Sequence, residues 1–217
     1  MHFVGRDMEI KKIIGELDKG HNIILTGRFG IGRSSLIRYI SDMHQNNFRF
    51  IFTDFSQTPG KISKCILAEL FPTENHPKQY RRYKSSRFLI ANLKTKDGRL
   101  YIIVLDNIAK LSAQKLSFIR HLAWEKRFQF IAIAETFLPS EQLIHLRAEL
   151  MPAVMIKLPR LNAPKVREWL GYASEKYKLP WSKGYIEFLV KVLNGYPLGI
   201  RETIERAIER KRVHIQP

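Results

Sequence analysis

The residues whose types and spacing indicate chemistry lie in one glycine-rich stretch near the start of the sequence. This stretch follows an apolar run at 23–25 and leads into an amphipathic segment at 35–40. Glycines let successive backbone N–H groups point at one centre, and a following helix N-terminus adds partial positive charge. An ordinary strand-turn-helix joint is the alternative. The arrangement predicts a phosphate-binding loop formed by Gly27, Arg28, Phe29, Gly30, Ile31, Gly32, Arg33, Ser34 and Ser35.

The loop departs at one position from the pattern G-x-x-x-x-G-K-[ST], because Arg33 stands where the pattern has lysine. Lysine is a compact charge on a flexible stem, whereas the guanidinium of arginine is a planar fork. We expect Arg33 to neutralise phosphate oxygens and its bulk to displace the γ-phosphate from in-line geometry. Ser34 is expected to bind Mg²⁺ through its hydroxyl.

A second metal-binding group is expected at the carboxyl end of a buried strand next to the loop strand. Asp106 follows the apolar run 101–105 and fits this role; an ordinary helix cap is the alternative. Asn107 can orient water by hydrogen bonding but is a poor base. Glu135 is a candidate base and Thr136 a candidate sensor of the γ-phosphate, although Glu135 also fits a solvated strand-end acid. Arg33 and Asn107 together predict slow or absent hydrolysis.

The elements that must position these residues alternate along the chain, which predicts a parallel sheet with right-handed crossovers. Strands are expected at 23–26, 48–53, 100–106, 130–134 and 153–158. Helices are expected at 8–17, from the loop to 44, at 61–70, 111–124 and 140–150, and then at 165–177, 182–193 and 197–212.

Two finer expectations accompany this pattern. Asp7 is predicted to cap the first helix. Much of the basic stretch 78–99 is predicted to be helical, with Phe88, Leu89, Ile90 and Leu93 on its buried side.

The chain is strongly basic, with 37 lysines and arginines against 20 acids and a net charge of +17. Such a charge indicates an anionic partner, and we expect DNA bound through its backbone without sequence preference. A solvated surface or an acidic protein partner is the alternative. The candidate nucleic-acid residues, which lie among aromatic side chains, are Lys78, Arg81, Arg82, Lys84 and Arg87.

Cysteine content and hydropathy predict a cytoplasmic protein without a membrane partner. Cys65 is the single cysteine, so no intrachain disulfide can form. The sequence contains neither a signal-peptide pattern nor an apolar run of the ~20 residues that cross a bilayer.

Several motifs resemble those of AAA+ and STAND P-loop ATPases. Residues 3–7, ahead of an amphipathic helix, resemble the N-terminal motif of these ATPases. The phosphate loop and residues 105–107 resemble their Walker A and Walker B motifs. Residues 158–161 and 195–197 are similar to the lid of the initiator-like and STAND branches. The resemblance implies a five-stranded parallel α/β P-loop NTPase core over residues 1–158, followed by an all-helical lid over 159–217.

The resemblance also implies roles for residues outside the loop. ATP or ADP with Mg²⁺ would lie between core and lid, with Val4, Gly5 and Arg6 near the base. Pro197 belongs to the lid signature. Arg201 would be a lid sensor that reaches the phosphates. Arg147 would be an arginine finger offered to a neighbouring subunit of a homo-oligomer, and for both arginines a solvated helix charge is the alternative.

The residues and the resemblance together predict an ATP-binding AAA+-like ATPase or nucleotide switch that acts on or with DNA, as replication-loading or transposition-helper ATPases do. One alternative is a STAND-type signalling or defence module whose nucleotide state controls protein assembly. Another is a nucleotide-free P-loop scaffold that keeps only its structural glycines.

Overall fold

The computed structural model describes residues 4–71, 83–91 and 98–213. Its strands are β1 Asn22–Thr26, β2 Phe48–Asp54, β3 Leu100–Ile108, β4 Gln129–Ala134 and β5 Ala153–Lys157. Its helices are α1 Asp7–Asp18, α2 Arg33–Met43, α3 Pro59–Leu70, α4 Tyr83–Ala91, α5 Ala113–Trp124, α6 Ser140–Glu149, α7 Ala163–Tyr177, α8 Lys183–Leu193 and α9 Pro197–Val213. None of the helices in these ranges is long and apolar enough to span a membrane.

The five strands form one parallel sheet in the order β2-β3-β4-β1-β5, which confirms the predicted α/β architecture. Helices cover both faces of the sheet. One face packs against side chains of α1 and α2, and the other against side chains of α3, α4, α5 and α6. Residues 102–105 of β3 are fully buried, as expected for a central strand that is covered on both sides.

The predicted neighbour of the loop strand is wrong. β1 pairs with β4 on one side, where Ile24 lies opposite Ala132, and with β5 on the other, where Ile24 lies opposite Met155. A strand has two neighbours in a sheet, so β3 is separated from β1 by β4. All five carboxyl ends lie along the same edge, and Asp106 therefore still ends near the loop.

Two local predictions are also wrong. Arg6, with φ 72°, occupies the N-cap of α1 without a side-chain cap hydrogen bond, and Asp7 begins the helix instead of capping it. On α4, Ile90 is fully buried but Phe88 is 63% exposed. The buried face of α4 contains Ser86 and Ile90, four residues apart, so a residue midway between them points away. Leu93 lies outside the described residues.

The helices after β5 pack on one another through their own apolar cluster. Asn162 and Ser182 cap α7 and α8, because their side chains accept hydrogen bonds from the N–H groups of Lys165 and Tyr185. The buried members of the cluster are Val166, Leu170, Ala173, Leu189, Val190, Ile200 and Ile204.

Candidate nucleotide-binding site

The glycine-rich turn joins β1 directly to α2. Its glycines adopt φ values that L side chains rarely reach: 150° at Gly27, 73° at Gly30 and 90° at Gly32. Gly32 is the N-cap of α2 and provides no side-chain cap, so the first N–H groups of the helix remain suited to an anion. The sequence predicted this loop from its spacing, and the structure has the strand, turn and helix that the prediction requires.

Ser34, in the first turn of α2, meets the acid of β3. Its hydroxyl donates a hydrogen bond of 3.0 Å to Asp106 Oδ1, which also accepts one of 2.9 Å from the backbone N–H of Asn107. Hydroxyl and carboxylate oxygens are the ligands that Mg²⁺ prefers in proteins. The two residues therefore fit a magnesium ion at the carboxyl edge of the sheet.

The side chain of Asn107 is hydrogen-bonded to the end of a third strand, β2. It adopts a left-handed backbone conformation with φ 60°, and its amide donates to Asp54 Oδ1 at 3.3 Å. Hydrogen bonds from Ser56, and more weakly from Gln57 and Asn107, lower the pKa of Asp54 to about 2. Asp54 is thus ionised at neutral pH and is a weak base. Sequence reasoning missed it, although it directly follows the predicted strand 48–53.

Arg33 and Glu135 bind each other. The guanidinium of Arg33 donates to the carbonyl oxygen of Ala134, at the end of β4, and at 2.6 Å to Glu135 Oε2. The two side chains are only 6% and 12% exposed. Glu135 is therefore not a solvated strand-end acid, and that alternative is wrong. The sequence treated the two residues as separate, whereas the structure joins them in one buried ion pair.

Arg6 reaches the loop from the N-terminal segment. It is buried and donates to the carbonyl oxygen of Ile31 at 3.2 Å and to Glu9 at 3.1 Å. Arg6 thus supports the backbone of the loop.

The turn before α9 is hydrogen-bonded to the loop. The hydroxyl of Tyr196 donates to the carbonyl oxygen of Phe29 at 2.8 Å, and the N–H of Leu198 donates to that of Gly30 at 3.1 Å. A Cβ atom added at Gly30 would lie 2.5 Å from the Tyr196 hydroxyl. A movement of these C-terminal helices would therefore strain or break contacts with the phosphate loop.

A cavity of about 250 Å³ lies between the loop and the C-terminal helices. Residues predicted from the sequence form most of its lining: Val4, Arg6, Phe29, Gly30, Ile31, Gly32, Arg33, Ser34, Ser35, Asn107, Glu135, Pro197 and Arg201. Leu161, Trp169 and Leu198 also line it and were missed. Trp169 packs against the apolar cluster that contains Val166 and Leu170, and it also lines the cavity.

Other predicted site residues lie away from the cavity lining. These are Gly5, Gly27, Arg28, Asp106, Thr136 and Arg147, the last exposed in the final turn of α6. Asp106 reaches the cavity only through its hydrogen bond with Ser34, which lines it. Arg201 lines the cavity and lies 3.5 Å from Glu205.

The described residues include little of the candidate DNA-binding stretch. Lys78, Arg81 and Arg82 lie outside them, as does the side chain of Lys84. Arg87 is half-buried, and burial, followed by the charge of Arg87, lowers the pKa of His121 on the neighbouring helix.

The sheet order, the glycine-rich loop and the acid at the end of β3 define a P-loop NTPase fold. The sequence model of the AAA domain matches residues 17–140, which is more than half of the chain. The chain therefore belongs to the AAA domain family, which confirms the AAA+ part of the predicted resemblance.

Solved structures with the same fold include three archaeal or bacterial proteins. Orc1 from Aeropyrum pernix, in complex with DNA, has a TM-score of 0.63 at 14% identity, over 99% of this chain and 66% of that one. Cdc6p from Pyrobaculum aerophilum has a TM-score of 0.65 at 13% identity, over 93% of this chain and 61% of that one. RuvB from Thermotoga maritima, a Holliday junction branch migration motor, has a TM-score of 0.56 at 16% identity, over 94% of this chain and 62% of that one.

At such identities the likeness shows the fold alone. The chain spans 61–66% of the length of these three chains. No curated protein sequence matches it.

Proposed function

We propose that this chain is an ATP- or ADP-binding switch that hydrolyses ATP slowly or not at all and acts on or with DNA. The observation that carries the nucleotide part is the 3.0 Å contact between the Ser34 hydroxyl and Asp106, beside the glycine-rich turn. These are the groups that a bound Mg²⁺ requires at a phosphate loop.

The division of labour follows from the geometry. Ser34 and Asp106 hold Mg²⁺, and the first N–H groups of α2 receive the phosphates. When bound, the metal neutralises charge on the phosphate oxygens. Val4, Gly5 and Arg6 are proposed to lie near the base, and Val4 and Arg6 line the cavity. Arg201 is the candidate contact from the C-terminal helices.

Slow hydrolysis is proposed because the residues near Ser34 lack an effective base. Asn107 carries no basic group, and its amide is bonded to Asp54, whose pKa of about 2 makes it a weak base. Glu135 is the one carboxylate among the described residues that line the cavity, and Arg33 holds it in an ion pair. A water molecule at this site would therefore be oriented but not deprotonated efficiently.

Nucleotide occupancy is proposed to be transmitted through the contacts of Tyr196 and Leu198 with the loop carbonyls. In this account residues 159–217 act as a helical lid on a core formed by residues 1–158. A lid bonded to the loop backbone responds when a ligand moves that backbone.

The proposed DNA partner is supported by the net charge of +17 and by the likeness to Orc1, whose structure contains DNA, and to the RuvB branch migration motor. Contacts would go to the DNA backbone, with the basic stretch 78–99 as one candidate surface. Arg147, exposed on α6, remains the candidate arginine finger of a homo-oligomer.

A nucleotide-free scaffold is a second candidate, favoured by the ion pair between Arg33 and Glu135. In that case the cation of the loop has a structural partner and needs no phosphate. Calorimetric titration of the wild-type protein with ATP–Mg²⁺ and ADP–Mg²⁺ distinguishes the two candidates. We expect micromolar binding, and an absence of heat at millimolar nucleotide would establish the scaffold.

Variants locate the site. Ser34→Ala and Asp106→Asn should remove the dependence of nucleotide affinity on Mg²⁺. Asp42→Asn, which changes an exposed acid on the same helix, should leave it unchanged. Equal effects of all three variants would contradict the proposed metal site.

DNA binding is tested by the dependence of duplex affinity on salt concentration. We expect the affinity to fall steeply as salt rises and to be the same for unrelated sequences. A protein that binds nucleotide but no duplex at modest salt would overturn the DNA part and favour a protein partner.

A further inference from the structure

Glu135 places a second carboxylate beside the phosphate loop. The first is Asp106, which with Ser34 fits the metal. Glu135 directly follows β4, the strand between β3 and the loop strand, and lines the cavity with Ser34 and Gly32. Its side chain is 12% exposed, so little water screens its charge.

The position of Arg33 in the loop indicates which phosphates of a nucleotide would lie near its guanidinium. In a phosphate loop the residue at this position reaches the β- and γ-phosphates, and the next residue holds the metal. Here the guanidinium fork is already bound by the Ala134 carbonyl and the Glu135 carboxylate. A γ-phosphate would have to displace Glu135 from Arg33 and would then lie beside the freed carboxylate.

Charge acts against that exchange. Two negative groups a few ångströms apart repel strongly where water is excluded. A β-phosphate can also be held by the backbone N–H groups at the N-terminus of α2, so its binding does not require Arg33 to separate from Glu135.

We propose that the site selects a nucleoside diphosphate over a triphosphate, and that Glu135, locked to Arg33, excludes the γ-phosphate. This inference rests on the proposed nucleotide site and deepens it. The chain would then be held in its diphosphate-bound form even when ATP is abundant.

The test is calorimetric titration of the wild-type protein with AMP, ADP and ATP in excess Mg²⁺. ADP should bind most tightly and ATP at least about tenfold more weakly. Glu135→Gln keeps an oxygen that can accept from Arg33 but removes the charge. It should narrow the gap between ATP and ADP by about tenfold, mainly by tightening ATP. Glu141→Gln, at an acid that is 86% exposed on α6, is the matched control and should leave the ratio unchanged.

The outcomes separate this inference from the proposed function. Tighter binding of ATP than of ADP by the wild-type protein would overturn the inference and leave the nucleotide site intact. An unchanged ratio in a Glu135→Gln protein that melts cooperatively would overturn the role of Glu135. If neither nucleotide binds to the wild-type protein or to the variant, the proposed function fails and this inference fails with it. The wild-type comparison needs no variant, so it stands even if Glu135→Gln does not fold.

Discussion

Arg33 and Ser34 are consecutive residues in the first turn of α2, yet their side chains enter different environments. Ser34 meets Asp106 at a partly exposed strand end, where the proposed metal ion would replace their mutual hydrogen bond. Arg33 meets Glu135 in a nearly closed site. If a phosphate replaced Glu135 as the partner of Arg33, the Glu135 carboxylate would be left without a partner. In the proposed site the metal half is thus open to a ligand, whereas the cation of Arg33 already has Glu135 as its partner.

The difference between Arg33 and Ser34 shows that the position of a residue in a motif does not determine the partner of its side chain. A buried ion pair is costly to break even when it adds little net stability, because the remaining charge is desolvated and alone. The loop can therefore keep its backbone geometry while Arg33 binds the Ala134 carbonyl and the Glu135 carboxylate at the end of β4.

The largest effect is expected when one member of the buried pair is removed. Arg33→Met should lower the free energy of unfolding by about 3–5 kcal/mol, because Glu135 remains buried without its partner. The double variant Arg33→Met/Glu135→Gln should recover most of this loss. Denaturant unfolding measures both values.

The control for this prediction is Arg167→Met, which breaks an ion pair with Glu187 between α7 and α8. Both side chains of that pair are about half exposed, so the expected loss is at most about 1 kcal/mol. Equal losses for Arg33→Met and Arg167→Met would show that the Arg33 pair is not energetically distinct.

A smaller effect is expected in the turn that both halves share. Gly30→Ala should lower the free energy of unfolding by about 2–4 kcal/mol, because its φ of 73° disfavours a side chain and its Cβ would meet Tyr196 and Leu198. Gly32 has a φ of 90°, but a Cβ atom added there would meet no atom within 4 Å. Gly32→Ala should cost only the conformational part, about 1–2 kcal/mol. Thermal or denaturant unfolding that gave the same loss for both would contradict the contact between loop and α9.

The smallest effect is expected where the C-terminal helices meet the loop. Tyr196→Phe removes the hydrogen bond to the Phe29 carbonyl and should cost about 1 kcal/mol. Tyr185→Phe, at a 44% exposed ring on α8, is the matched control and should change stability little. If Tyr196→Phe is as neutral as Tyr185→Phe in denaturant unfolding, the contact between the loop and the C-terminal helices is not maintained in solution.

The order of elements could be predicted from the sequence because it depends on local patterns. Short apolar runs alternate with amphipathic segments, and the glycines at 27, 30 and 32 mark a turn that few other residues can form. Asp106 was found because a polar residue that ends an apolar run stands out. These features need no knowledge of what lies across the sheet.

The remaining features depend on long-range contacts that local patterns do not encode. The position of β4 between β1 and β3 decides that Arg33 reaches Glu135, which is 102 residues away in the chain. The contact of Trp169 with the cavity depends on how α7 lies over the loop. Exposure of Phe88 depends on which face of a short helix its neighbours cover.

The most direct test of this account compares the affinity of ADP–Mg²⁺ for the wild-type protein and for Arg33→Met/Glu135→Gln by calorimetric titration. The account predicts a difference of at most about threefold, which is below ~1 kcal/mol, because the two charges cancel in the wild-type site and Ser34 and Asp106 carry the metal. A loss of about a hundredfold or more, ~2.7 kcal/mol, in a double variant that still folds would show that Arg33 binds phosphate in the usual manner of a phosphate loop. That result would contradict the separation of the site into an open metal half and a closed cation half.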